Sequence, residues 1–174
     1  MSKYFGLFLL IIFGVCHSFS APDYLEWSEK KPITFADFKA STPKGTKSPV
    51  NLKTLISYQF KQGKGNVPQV TITNYMDRSE SWVKMKRQEI LDLMQIRFDY
   101  SELYARKIRK QMIEMNKKKV KEKQKYLDEI TRLNKVMQKQ QAKASTLLAD
   151  QPHLIKIMQK DVRDSIQIYK TYAQ

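Results

Sequence analysis

Hydrophobic positions along this chain change their period partway through. From Leu52 to Gln62 they alternate, with Ile56, Tyr58 and Phe60 on one face and Ser57, Gln59 and Lys61 on the other, the period of a half-buried strand. Gln69 to Tyr75 carries β-branched Val70, Thr71, Ile72 and Thr73, and Gly63-Lys64-Gly65-Asn66 lies between the two runs. An antiparallel hairpin is the economical prediction. Farther on, the step becomes three to four. Ile90, Met94, Arg97, Tyr104, Ile108 and Met112 fall near one stripe, with Leu91 and Phe98 beside it, which predicts a long helix from about residue 82 to residue 115. Asp77, with Glu80 three residues on, reads as its N-cap. Asn116 to Lys119 is a polar bend or a continuation. A second helical stretch carries Val120, Leu127, Ile130, Leu133, Met137, Ala144 and Leu148. After Asp150-Gln151-Pro152 a last helix shows Leu154, Met158, Val162, Ile166 and Tyr169.

The helix breakers agree with this division. All five glycines lie at or before Gly65, and between Pro68 and Pro152 there is no proline. The predicted class is α+β, a short antiparallel hairpin or sheet followed by two or three long helices. The expected organisation is one domain over residues 21–174, strand-rich over 24–76 and helical over 77–174.

Residues 1–20 read as a leader. Lys3 precedes an apolar run from Tyr4 to Val15, and Ser18 and Ser20 stand at the −3 and −1 positions of a cut before Ala21, the pattern of a secretory signal peptide. The apolar run is short for a membrane span of ~20 residues, and Val15 is too bulky for lipid attachment at Cys16. The expectation is a secreted or periplasmic protein with no membrane-spanning segment once the leader is removed. Past the leader there is no cysteine, and His153 is the one histidine. A disulfide framework, a cysteine nucleophile, a zinc finger and any metal site needing two histidines are thereby excluded.

The chain is basic, with 32 Lys+Arg against 17 Asp+Glu and a formal net charge of +15. Most of the excess lies between Ala105 and Lys143, where 14 Lys/Arg face 4 Asp/Glu. Such a stretch is a solvated helical face or an electrostatic footprint, and Lys117 to Lys143 would then meet an anionic envelope component or an acidic protein. Nucleic acid fits the charge but not the compartment, and Tyr126 stands alone among the lysines, so no aromatic platform is offered to bases.

The segment from Ser81 to Lys110, SWVKMKRQEILDLMQIRFDYSELYARKIRK, resembles the signature of a family of small secreted bacterial proteins described as predicted zinc-dependent proteases. In that family the word SWV leads into a helix reading HEQ-x-HFD-x-x-E-LYARKLR. Trp82, Gln95, Phe98, Asp99, Glu102, Leu103, Tyr104, Ala105, Arg106 and Lys107 stand at matching positions. Trp27 and Ile33 to Phe38 are similar to the family's tryptophan and LTWSDF-like word. The resemblance covers most of residues 27–110 and fades beyond them.

The departures fall on the chemistry that the resemblance implies. Residues four apart share a helical face, so the two histidines of HExxH clamp zinc and the glutamate acts as general base. Here the first histidine position is Leu93, the glutamate position is Met94 and the second histidine position is Arg97. Leucine has no lone pair, methionine accepts no proton, and arginine brings a fixed positive charge. Neighbouring carboxylates do not rebuild the site, since Asp99 lies about 120° and Glu102 about 180° around a straight helix from Leu93. Zinc, expected for the family, is not expected here. Two apolar residues at Leu93 and Met94 predict a patch closed by packing rather than a wet cleft. Among the retained positions, Trp82, Phe98 and Tyr104 read as core aromatics. Glu102 and Arg106 form a four-step pair, worth a few tenths of a kcal/mol if exposed. Asp99 needs a partner elsewhere. No G-x-S-x-G elbow and no phosphate-cradling glycine loop is present. The expected function is that of an exported, non-catalytic relative of the protease family with a binding or scaffold role. The competing expectation is a cationic helical, chaperone-like envelope protein.

Overall fold

The computed structural model describes residues 23–174. The leader assigned to residues 1–20, with Cys16 and His17, lies outside the described residues. Five strands come first: β1 (Tyr24–Glu26), β2 (Val50–Asn51), β3 (Thr54–Lys61), β4 (Gln69–Asp77) and β5 (Trp82–Val83). Three helices follow: α1 (Gln88–Lys117), α2 (Lys123–Asp150) and α3 (Ile155–Ile168). The architecture is α+β. No helix among the described residues is long and apolar enough to cross a membrane.

The expected hairpin is present. β3 and β4 pair antiparallel from Thr54 opposite Met76 to Lys61 opposite Gln69. Their turn closes with Asn66 N–H donating to the Gly63 carbonyl at 3.0 Å, and Gly65 takes φ +76°, which only glycine adopts cheaply. β1 pairs with the other edge of β4, so the order is β1-β4-β3. β2 and β5 form a separate two-stranded ribbon, Asn51 opposite Trp82.

The start of α1 differs from the expected one. Asp77 is the last residue of β4, and its Oδ1 accepts hydrogen bonds from the Ser79 N–H, the Ser79 hydroxyl and the Glu80 N–H. An aspartate satisfies the donors of a tight turn as readily as those of a helix end. The chain therefore turns, lays Trp82 into β5, and begins α1 at Gln88 after an extended Arg87 that offers no side-chain cap. The boundary expected at residue 77 moves accordingly. At its other end α1 stops in a Schellman motif. Lys119 N–H donates to Asn116 O at 2.9 Å and Val120 N–H to Met115 O at 3.1 Å, with Lys119 at φ 55°. The polar run Asn116 to Lys119 is thus a bend, and α2 returns along α1.

Hydrophobic side chains reach α1 from three directions. Ile56 and Ile72 of the sheet meet Tyr104, Ala105, Ile108 and Met112 of α1 and Tyr126, Ile130 and Met137 of α2. Ile33, Leu52 and Met76 meet Met94 and Phe98. Ile96 packs on Leu148 and Ile155, and Leu103 packs on Val162 and Ile166 of α3. Each buried aliphatic side chain contributes about 1.5–3 kcal/mol, whereas exposed ion pairs such as Lys117–Glu114 contribute about 0–1 kcal/mol. The clusters, not the surface charges, hold the helices on the sheet.

Candidate functional site

The positions that the resemblance assigns to metal chemistry lie on the N-terminal half of α1. Met94 is 2% exposed within the cluster of Ile33, Leu52, Met76 and Phe98. Leu93 is half-buried between that cluster and the one around Ile96 and Leu148. The face is packed with hydrocarbon there. Arg97 is half-buried. Its Nη1 contacts Met94 Sδ at 3.9 Å, and its Nε has no hydrogen-bond partner among the described residues. Burial pulls the guanidinium below its usual pKa. The side chains present do not fit a divalent cation. Met94 sits in apolar surroundings, Arg97 is itself a cation, and the nearby carboxylates are engaged elsewhere. Asp92 is paired with Lys156 at 2.7 Å, and Asp99 accepts from two neutral donors. Among the described residues no three His, Cys, Asp or Glu side chains are grouped to hold a metal ion.

The retained positions converge instead on the neighbouring face of α1. Trp27 Nε1–H donates to Asp99 Oδ1 at 2.8 Å, and Gln95 Nε2–H donates to the same oxygen at 2.7 Å. Gln95 Oε1 in turn accepts from the Ile33 backbone N–H at 2.8 Å. Asp99 thereby finds the partner it needs, 72 residues away in the chain. Among the described residues its Oδ2 makes no hydrogen bond and faces Arg163 Nε at 3.5 Å, and the residue borders a pocket of about 220 Å³ with Trp27, Glu29 and Gln167. Burial raises the Asp99 carboxyl above its ordinary pKa, and the hydrogen bonds from Trp27 and Gln95 oppose that rise only in part.

One turn on, Glu102 and Arg106 do pair, at 2.9 Å, but the pair is buried rather than exposed. Arg109, which the sequence reading did not single out, reaches the same Glu102 oxygen at 3.1 Å. Its Nε–H donates to the Ile72 carbonyl of β4, and Arg106 donates to the Ile166 carbonyl of α3. The network anchors α1 to both, and Arg106 also stacks over Trp27 at 5.4 Å. Arg109 lies three residues after Arg106, so helical spacing was its available signal. The Trp27–Asp99 contact has no local signal.

The aromatic positions separate. Phe98 and Tyr104 are core residues of two clusters, whereas buried Trp82 lies in β5 and not in the hairpin-to-α1 core. Tyr126 is fully buried, its hydroxyl donating within 2.7 Å of Asn116 Oδ1, so it presents no ring to a ligand. Polar and basic groups thus flank the apolar face at Leu93 and Met94. No protein-family model, no curated protein and no solved structure matches this chain.

Proposed function

We propose that this chain is an exported, non-catalytic binding protein, related to the secreted zinc-dependent proteases it resembles, that engages an anionic component of the cell envelope through its basic end. The observation that carries this reading is the meeting of the hairpin tip, which bears Lys64, with the lysine-rich bend between α1 and α2. The hairpin tip sits against the bend between α1 and α2, since Gln62 Nε2–H donates to the Lys121 carbonyl at 2.9 Å and Lys123 Nζ lies 4.9 Å over the Phe60 ring. Lys64 at the hairpin tip is therefore at the same end of the molecule as Lys118, Lys119, Lys121 and Lys123, and none of these five has an ion-pair partner among the described residues. The local acids Glu114 and Glu122 are already taken by Lys117 and Lys125. Unpaired charges close together raise the local potential and attract polyanions. The hydrocarbon packing at Leu93 and Met94 supports the non-catalytic part of the reading.

The test is co-sedimentation with vesicles of phosphatidylglycerol and phosphatidylcholine. Binding is expected to need the anionic lipid, to fall at about 0.5 M salt where screening is short-ranged, and to drop by about tenfold or more in Lys64→Glu/Lys118→Glu/Lys121→Glu, at about 1 kcal/mol per charge near the surface. Binding indifferent to salt and to these substitutions would overturn the docking surface. Stoichiometric zinc held by α1 would overturn the non-catalytic reading. The chaperone-like alternative predicts instead that the protein keeps unfolded clients from aggregating.

A further inference from the structure

We propose that Arg97 is the anchor of an oxyanion-binding site, separate from the basic end, that takes a carboxylate or a phosphoryl group. Twenty residues separate Arg97 from Lys117 along α1, about 30 Å at 1.5 Å per residue, so the two surfaces are distinct and the inference does not depend on the one above.

Arg97 carries an uncompensated charge. It is half-buried with its Nε shielded from water and without a hydrogen-bond partner, and no carboxylate stands within ion-pair distance of its guanidinium among the described residues. Residues 1–22 contain no Asp or Glu, so the remainder of the chain has no carboxylate side chain to supply either. Among the described residues the guanidinium's one polar contact is the thioether of Met94, a weak acceptor. Shielding part of a charge from water without a partner is costly, and an anion bound beside it would offset that cost. Every other buried arginine network here has its carboxylate: Arg106 and Arg109 share Glu102.

The surroundings are those of an anion site. Arg97 borders a shallow depression of about 320 Å³ with Gln138, Gln141, Ala142 and Ser145 of α2. Gln141 is fixed, its Nε2–H donating to the Arg97 carbonyl at 2.8 Å, and the Ser145 hydroxyl donates to the Gln141 carbonyl at 2.8 Å. Amide and hydroxyl groups line the opening and no acid repels an anion. A planar guanidinium presents paired N–H donors that match a carboxylate or phosphate fork.

The test follows the Arg97 Nε–Hε resonance and the Gln141 and Ser145 amides in ¹⁵N-labelled protein while inorganic phosphate, and separately acetate, is titrated at constant ionic strength. A saturable shift at these three residues with at least one probe is expected. A response to phosphate alone identifies a phosphoryl ligand, and a response to acetate identifies a carboxylate. Arg97→Lys should weaken the response about tenfold by losing the fork. Gln138→Glu, which adds a carboxylate at the rim of the depression, should raise the Tm and abolish the response. The inference is overturned if neither probe moves these resonances, if the shifts appear only at the lysines of the α1–α2 bend, or if Gln138→Glu leaves both the Tm and the titration unchanged.

Discussion

Asp99 shows how a single buried carboxyl answers to its neighbours. Both of its hydrogen bonds end on Oδ1, so an amide at this position keeps them. Its pKa is raised by burial above the ordinary value of 3.8. A carboxyl that holds its proton more tightly when folded contributes stability below the unfolded pKa, and that contribution is lost as pH rises through the folded pKa. Urea denaturation between mildly acid and neutral pH should therefore show stability falling as pH rises above the ordinary aspartate range and levelling off beyond the raised pKa. Asp99→Asn should remove that slope and leave the protein as stable as the parent, or more so, at neutral pH. Asp99→Ala strands the Trp27 indole N–H and the Gln95 amide, each at a cost of about 1–3 kcal/mol. A parent with no slope, or an alanine variant as stable as the asparagine one, would refute the account.

At the scale of elements, the bend after α1 is built on an unfavourable residue. Lys119 occupies the left-handed position of the Schellman motif with φ 55°, a place where glycine is the usual solution. Lys119→Gly is expected to stabilise the fold by about 0.4–1 kcal/mol, the strain relieved less the extra freedom of the unfolded chain. Chemical denaturation gives the value, and a destabilised variant would contradict the geometry. A polar substitution on the packed face of α1 is expected to be severe. Met94→Glu puts a carboxylate among Ile33, Leu52, Met76 and Phe98, at a cost of several kcal/mol, about the penalty for burying an unpaired charge. The loss should be smaller in acid, where the introduced group is neutral. A variant as stable as the parent would show that this face opens to water.

For the molecule as a whole, one carboxylate holds three segments. Glu102 receives Arg106 and Arg109, and those two side chains also bond the carbonyls of Ile72 in β4, Ile166 in α3 and Tyr172 near the C-terminus. Removing its charge leaves two guanidinium groups without a counter-ion in a buried place. Glu102→Gln should cost about 3–5 kcal/mol, as for other buried pairs broken on one side. Hydrogen exchange should reveal α3 loosening from α1 together with the sheet, and loosening confined to the helix surface would show that the network ties nothing.

The α+β class, the β3–β4 hairpin and the three helices were legible in the residue pattern, because period two, period three to four and the disappearance of glycine are local consequences of strand and helix geometry. The same local chemistry misled at Asp77, whose side chain serves a turn as well as a helix cap. The stripe read on α1 was incomplete for a different reason. Ile96 and Leu103 lie off it and are buried, since α1 is covered by the sheet, by α2 and by α3, and a helix packed from three directions has no single apolar face. Only the tertiary structure decided that Asp99 would be held by Trp27, that Glu102 would be buried, that Arg97 would lie against α2 without a carboxylate, and that the hairpin tip would meet the lysine-rich α1–α2 bend. Each is a contact between residues far apart in the chain, set by how helices and sheet pack, and spacing along one element carries no record of it.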